Sequence, residues 1–201
     1  MTVSLIKQTS PGRLTVTLEN GEEIKTTLGV VTDMRLFSGK ELDAALTDEF
    51  RLSSRRALAR EKALEYLSRR PMSCAELKKK LLEKDFEEGT ADYCVLWLSE
   101  NALIDDESYA AAVARHYAAK GYGAGRIKSE LSKRGISREL WDGALDAAPD
   151  NSGKIDKFIS SRLTDPCDRA QIGKVSQALY RRGYSWEEIR EALSRFSAEA
   201  E

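Results

Sequence analysis

The chain has 201 residues, 41% of them hydrophobic and 32% charged, with 32 Lys and Arg against 33 Asp and Glu. That is enough apolar material for a substantial core or two small domains, and a near-zero net charge argues against indiscriminate binding to nucleic acid. No apolar run approaches the roughly 20 residues of a membrane span, MTVSLIKQTS lacks the basic and apolar regions of a secretory leader, and Cys74, Cys94 and Cys167 stand apart with no CxxC.

A cytoplasmic protein with reduced, structural thiols is therefore expected, without a disulfide framework, zinc ribbon or membrane contact. The charge is segmented. Arg51 to Lys84 holds eleven basic and four acidic residues, Asp85 to Ser108 has eight acidic and no basic ones, and Tyr109 to Trp141 returns to seven basic against two acidic. Such blocks fit either solvated helix faces or a binding surface for an acidic partner.

In chain order, the first fifty residues alternate. Val3 and Leu5, then Leu14, Val16 and Leu18, then Ile24, Thr26 and Leu28 are separated by Pro11-Gly12 and Asn20-Gly21, which predicts a three-stranded antiparallel sheet over residues 1–50. Val30 to Leu36 could cover one face as a short helix, and Asp43 should cap another that carries Leu46 and Phe50. Leu52 to Ser54 is the expected seam. Beyond it a helix runs from about Ser53 to Arg69 and stops at Pro71. Ser73-Cys74-Ala75-Glu76 reads as a capping box, and Ser185-Trp186-Glu187-Glu188 repeats it.

The stretch Ile104 to Leu145 predicts three short helices with two glycine corners. Asp105 and Asp106 cap the first, which carries Tyr109, Val113, Ala114 and Tyr117 and stops at the Gly121 to Gly123 turn. The second carries Ile127 and Leu131 and ends at Gly135; Ser137 should cap the third, with Leu140, Trp141 and Leu145. This unit recurs. Ile127, Leu131, Arg134, Gly135, Ile136, Trp141 and Leu145 align with Val175, Leu179, Arg182, Gly183, Tyr184, Ile189 and Leu193. They also align with Leu77, Leu81, Lys84, Asp85, Phe86, Ala91 and Val95, where Asp85 replaces the corner glycine. The expected fold is mainly α: an elongated, curved solenoid of tandem three-helix repeats over 53–103, 104–148 and 152–197, preceded by the small β-rich subdomain. Ala147 to Gly153 reads as a linker and the most mobile point of the helical region.

Catalytic material is scarce. His116 is the only histidine, no GxxxxGK[ST] loop occurs, and GYGAG at Gly121 to Gly125 follows no predicted strand, so no enzyme, cofactor or nucleotide site is expected. Asp105, Asp106 and Glu107 could in principle hold a metal, but carboxylates at a helix start have the simpler role of capping amides, and no metal site is expected. Trp97, Trp141 and Trp186 each fall on or beside the last helix of a repeat, which suggests packing more than base stacking, with Trp186 partly exposed.

Taken in order, the IDDE-x-YA run at Ile104 to Ala110, KGYG-x-x-RI at Lys120 to Ile127, EL-x-x-RGI at Glu130 to Ile136 and LYRRGYSWEEI at Leu179 to Ile189 resemble the RecX family, bacterial regulators of the recombinase RecA. With ALEYLSRRPMS at Ala63 to Ser73 the resemblance spans roughly residues 55–196, and the N-terminal fifty residues carry its weakest part. It makes Asp105, Asp106, Tyr109, Gly121, Gly123, Ile127, Leu131, Gly135 and Gly183 structural positions of the family motif. It implies a non-catalytic, monomeric protein that binds the RecA–DNA filament and restrains its ATPase and strand-exchange activities in recombination and repair. Single- or double-stranded DNA is left open as a further contact. Helix position nominates Arg55, Arg56, Lys78, Lys79, Arg126, Lys128, Lys133, Arg134, Arg181 and Arg182 as contacts to the partner. The alternative is a DNA-binding protein of helix-turn-helix-like units with no RecA partner, built on Arg126 to Leu145. Against it, Arg138 is followed by Glu139 and Asp142, which offer little to a base edge or phosphate.

Overall fold

A computed structural model describes residues 1–150 and 152–199, and the chain forms two compact units. The first comprises Met1–Pro71 and Glu76–Ile104; the second comprises Met72–Ala75 together with the chain from Asp105 onward.

In the first unit, β1 (Val3–Ser10), β2 (Arg13–Leu18) and β3 (Glu23–Thr27) form the expected antiparallel sheet in the order β1-β2-β3. At the Asn-Gly turn Gly21 takes φ +82°, its amide donates to the Leu18 carbonyl, and the Asn20 side chain accepts from Glu22 N. The alternation expected along β1 breaks at Ser4. Val3 pairs with Leu18 and Leu5 with Thr17, so two residues oppose one; the bulge turns Leu5 outward and Ile6 against the core. α1 (Leu28–Asp33) contributes buried Val30 and Val31.

The seam expected at Leu52–Ser54 lies inside one continuous helix, α2 (Ala44–Leu67), whose cap is Asp43, accepting from Leu46 N at 2.8 Å. The physical reason is a shared core. Phe50 and Ala57 of α2 are buried with Val3, Val16, Leu18 and Leu42, and the Ser54 hydroxyl donates to Thr26 Oγ1 at 2.8 Å beneath them. A serine that reads as a break thus lies on the helix face turned to the sheet. Arg51 anchors the same junction, donating to both Glu22 oxygens at 2.9 and 2.7 Å. α3 (Cys74–Leu82) and α4 (Glu88–Glu100) complete the first helical trio. Arg56 and Arg60 of α2 lie over the rings of Tyr93 and Trp97 of α4, at 3.8 and 4.9 Å.

The second unit holds two trios. α5 (Asp106–Ala119), α6 (Ala124–Lys133) and α7 (Trp141–Asp146) enclose Ala110, Val113, Ala114, Ile127, Leu131 and Ala144; α8 (Ser152–Ser160), α9 (Arg169–Arg181) and α10 (Trp186–Glu199) enclose Ile155, Ile159, Val175, Leu179 and Ile189. Ser137 makes no capping side-chain bond: α7 starts from a 3-10 turn at Arg138–Leu140, and Trp141, half-buried, donates from Nε1 to the Ile136 carbonyl at 3.1 Å. In the third trio the expected capping box forms, with Ser185 N donating to Glu188 and Glu188 N donating to Ser185 Oγ. The linker centred on Asn151 includes a residue outside those described.

The three aligned corners share one geometry. Asp85, Gly135 and Gly183 have φ of +62°, +66° and +91°. After each, Phe86, Ile136 and Tyr184 donate their amides back to the carbonyls of Leu81, Leu131 and Leu179, the 6→1 bond of a Schellman cap. An aspartate tolerates this left-handed corner better than most residues, which is why the first copy still turns there.

Two of these corners receive a helix start within the second unit. Gly123 and Gly125 at the head of α6 donate to the carbonyls of Arg182 and Gly183 at 3.0 and 2.9 Å. At the other, the Ser73 hydroxyl donates to the Arg134 carbonyl and Cys74 N donates to Asp106 at 2.8 Å. The approach is close enough to exclude side chains. A Cβ on Gly123 would lie 2.5 Å from Gly183 O, one on Gly183 would lie 2.1 Å from Arg126 N, and one on Gly135 would meet Ala75 Cβ at 2.5 Å. Gly143, in α7, has no such neighbour within 4 Å among the described residues. Gly123→Ala is therefore expected to destabilise by about 2 kcal/mol through overpacking, although its φ of −81° is ordinary. Gly143→Ala should be neutral or stabilising by up to about 1 kcal/mol. Chemical denaturation of the two variants checks this; equal midpoints would mean that the corner contact carries no stability.

Candidate partner-binding surface

The ten nominated basic residues divide by what they already hold. In the first unit Arg55 pairs with Glu87 at 2.6 Å, and Lys78 pairs with Glu88 and Asp92 at 3.0 and 2.7 Å. Hydrogen bonds from Lys78 to Asp92, then to Glu88, raise its pKa. Arg56 is stacked on Tyr93, while Lys79 is exposed and makes no ion pair among the described residues.

In the second unit, Arg126, Lys133 and Arg134 are brought together around a residue that sequence reasoning passed over. Glu130 is 6% exposed, and its carboxylate meets Arg134 at 2.8 Å, Lys133 at 3.0 Å, Arg126 at 3.1 Å and the Tyr117 hydroxyl at 3.0 Å. Burying a carboxylate is costly unless it is paired, and here one carboxylate is shared by three cations. The Arg134 hydrogen bond, opposed by burial and helped by Lys133 and Tyr117, holds its carboxyl down at about 2. The signal was in the sequence. Glu130 lies three residues after Ile127 and beside Leu131, on the face that must be buried, with basic residues at −4, +3 and +4.

Arg134 is therefore mainly structural: half-buried, it also donates to the Glu130 backbone carbonyl at 2.7 Å. Lys133 stays exposed, and Lys128 diverges from the other three to lie 3.6 Å from Asp142. Arg182 packs over Phe158 at 4.6 Å and reaches the Gly121 carbonyl at 3.5 Å, whereas Arg181 beside it is exposed with no ion pair among the described residues.

The motif positions also resolve into roles. Asp105 caps α5 through the amides of Glu107 and Ser108, and Asp106 caps α3 through Cys74. His116 is exposed, edge-on to Tyr117. Burial, then the Asp106 carboxylate, push the Cys74 thiol up to about 11, and burial does the same to Cys94, so neither is a ready nucleophile at neutral pH. A second residue pair was not anticipated as a pair. Tyr180 and Trp186, 54% and 52% exposed, stack with ring centroids 5.0 Å apart and an 18° interplanar angle.

Against known proteins, residues 59–98, 105–145 and 161–193 match the family models for the first, second and third three-helix domains of RecX. The chain is similar to the regulatory protein RecX of Xanthomonas axonopodis pv. citri, at 36% identity over 142 residues, covering 69% of this chain and 87% of that protein. It is also similar to that of Vibrio parahaemolyticus, at 29% over 139 residues, covering 68% and 90%. A crystal structure of a regulatory protein RecX superposes with TM-score 0.73 at 26% identity, covering 96% of this chain and 98% of that one. Coverage that wide leaves no room to omit the N-terminal sheet. RecX from Lactobacillus salivarius superposes with TM-score 0.65 at 25% identity, covering 72% and 97%.

A folded-state pKa held below the ordinary 4.5 means that ionised Glu130 stabilises the fold at neutral pH, and that this contribution fades as pH falls from about 4.5 toward about 2. Glu130→Gln should cost about 3 kcal/mol at pH 7, within the range for breaking a buried pair. The gap between wild type and variant in denaturant unfolding should be constant above about pH 5 and narrow below it. A gap that does not change between pH 7 and pH 2.5 would contradict the ionic role.

Proposed function

Since the chain belongs to the RecX family of regulatory proteins, we propose that it binds the filament that RecA forms on DNA and lowers that filament's ATP turnover and strand exchange, with no catalysis of its own. The observation that carries this reading is the succession of all three RecX three-helix domains, in order, along residues 59–193. Among the described residues no helix is long and apolar enough to cross a membrane, which is compatible with action in the cytoplasm. A protein that prefers one state of a filament shifts the filament toward that state, so restraint of subunit movement needs no active site.

Within the nominated basic set we assign direct contact to the exposed Lys79, Lys133 and Arg181, with Arg55, also exposed, and Lys78 and Lys128 free to exchange surface partners at small cost. Arg56, Arg134 and Arg182 act as scaffold, and Arg126 bridges the two roles. A tandem helix-turn-helix reading gains nothing from α7, six residues long with Glu139 and Asp142 at its entrance.

The test is the ATPase rate of a RecA filament on single-stranded DNA as this protein is added. A dose-dependent fall is expected, needing more protein as salt rises because exposed charge pairs are screened. An unchanged rate at low salt, with the protein shown to be folded, would overturn the proposal.

A further inference from the structure

Tyr180, stacked on the exposed Trp186, lines a groove of about 480 Å³ between the head of α6 and the α9–α10 corner. Its walls include Ala124, Gly125, Gly183 and the body of Tyr184, and its charged groups are Arg126, Arg181 and Glu188. Glu188 is committed, since its carboxylate accepts the Ser185 amide at 2.6 Å. Arg126 is one of three cations sharing Glu130, so positive charge is in excess around the groove, and Arg181 adds to it. Half-exposed aromatic rings beside two guanidinium groups facing one committed carboxylate describe a surface suited to an acidic, partly apolar partner.

Resting on the proposed function, we propose that this groove holds an acidic segment of the filament protein, one that seats an apolar side chain against the Tyr180–Trp186 stack and a carboxylate against Arg126 and Arg181. Composition favours protein over nucleic acid. Trp, Tyr and Arg are the residues enriched at energetic centres of protein interfaces. A useful grip on a phosphate backbone takes cations along several phosphates, and only two guanidinium groups reach this groove. The walls are also largely apolar, which suits a buried side chain.

The experiment compares wild type, Trp186→Ala, Arg181→Glu and, as an aromatic control in the first unit, Phe37→Ala, which is 61% exposed. Each is titrated against the ATPase of a RecA filament, and each is measured for binding to bare single-stranded DNA. Circular dichroism checks folding. Trp186→Ala and Arg181→Glu should each raise the concentration for half-inhibition about tenfold or more, with Phe37→Ala like wild type. If wild type inhibits and both variants inhibit equally well, the groove is not the docking surface. If the variants lose only bare DNA binding, the surface serves nucleic acid and the inference is overturned. If wild type itself leaves the ATPase unchanged, the proposed function fails and this inference with it. Arg181 is exposed and makes no ion pair among the described residues, so its variant keeps the test valid should Trp186→Ala unfold α10.

Discussion

The contact on which the second unit depends is a helix start laid on a left-handed corner. A helix N-terminus has amides with no partner inside the helix, and a helix C-terminus has carbonyls in the same condition. Here each supplies what the other lacks: Gly123 and Gly125 of α6 donate to the Arg182 and Gly183 carbonyls that close α9. The opposed ends of the two helix dipoles add to the attraction. At the Arg134–Gly135 corner the pattern recurs with different chemistry, the Ser73 hydroxyl taking the place of the Gly123 amide. Ala75 stands at the position that Gly125 takes in α6, where a Cβ would lie 3.1 Å from the Gly183 carbonyl oxygen.

That contact also decides where charge can act. α6 carries an apolar stripe inward and glycines about its start, and Arg126, Lys133 and the following Arg134 converge on Glu130 while Lys128 turns to Asp142. Three cations on one carboxylate leave a positive surplus at the surface while fixing Arg134 in place. Part of a basic block in the sequence is thereby used up inside the fold. Arg126 and, from α9, Arg181 line a groove beside the stacked rings of Tyr180 and Trp186, while Lys133 stays exposed. Binding residues and scaffold residues are thus neighbours in sequence, and charge alone does not distinguish them.

The trios, their corners and most of the sheet were legible because they rest on local chemistry: Asn20-Gly21, Asp43, the Ser185 box and the aligned Asp85, Gly135 and Gly183. What escaped depended on partners distant in sequence. The seam at Leu52–Ser54 vanished because Ser54 meets Thr26 across the sheet core, and the β1 alternation failed because a bulge at Ser4 is set by pairing with β2. Ser137 gave a cap signal, but a 3-10 turn took its place. At the candidate surface, Arg126, Lys133 and Arg134 were nominated from helix position, yet Glu130, the carboxylate that gathers them, was passed over. The stacking of Trp186 on Tyr180 joins residues of α9 and α10 across the Gly183 corner, which no periodicity within one helix encodes.

Native-state amide hydrogen exchange at Gly123 and Gly125 tests this account most directly, because those two amides are the docking contact itself. If helix start and corner are one cooperative piece, both should exchange only with the opening that frees Leu131 and Leu179, showing the same protection as those core amides. Exchange at Gly123 and Gly125 at a much lower free energy, while Leu131 and Leu179 stay protected, would show that the two trios fold independently and that the contact joins them only loosely.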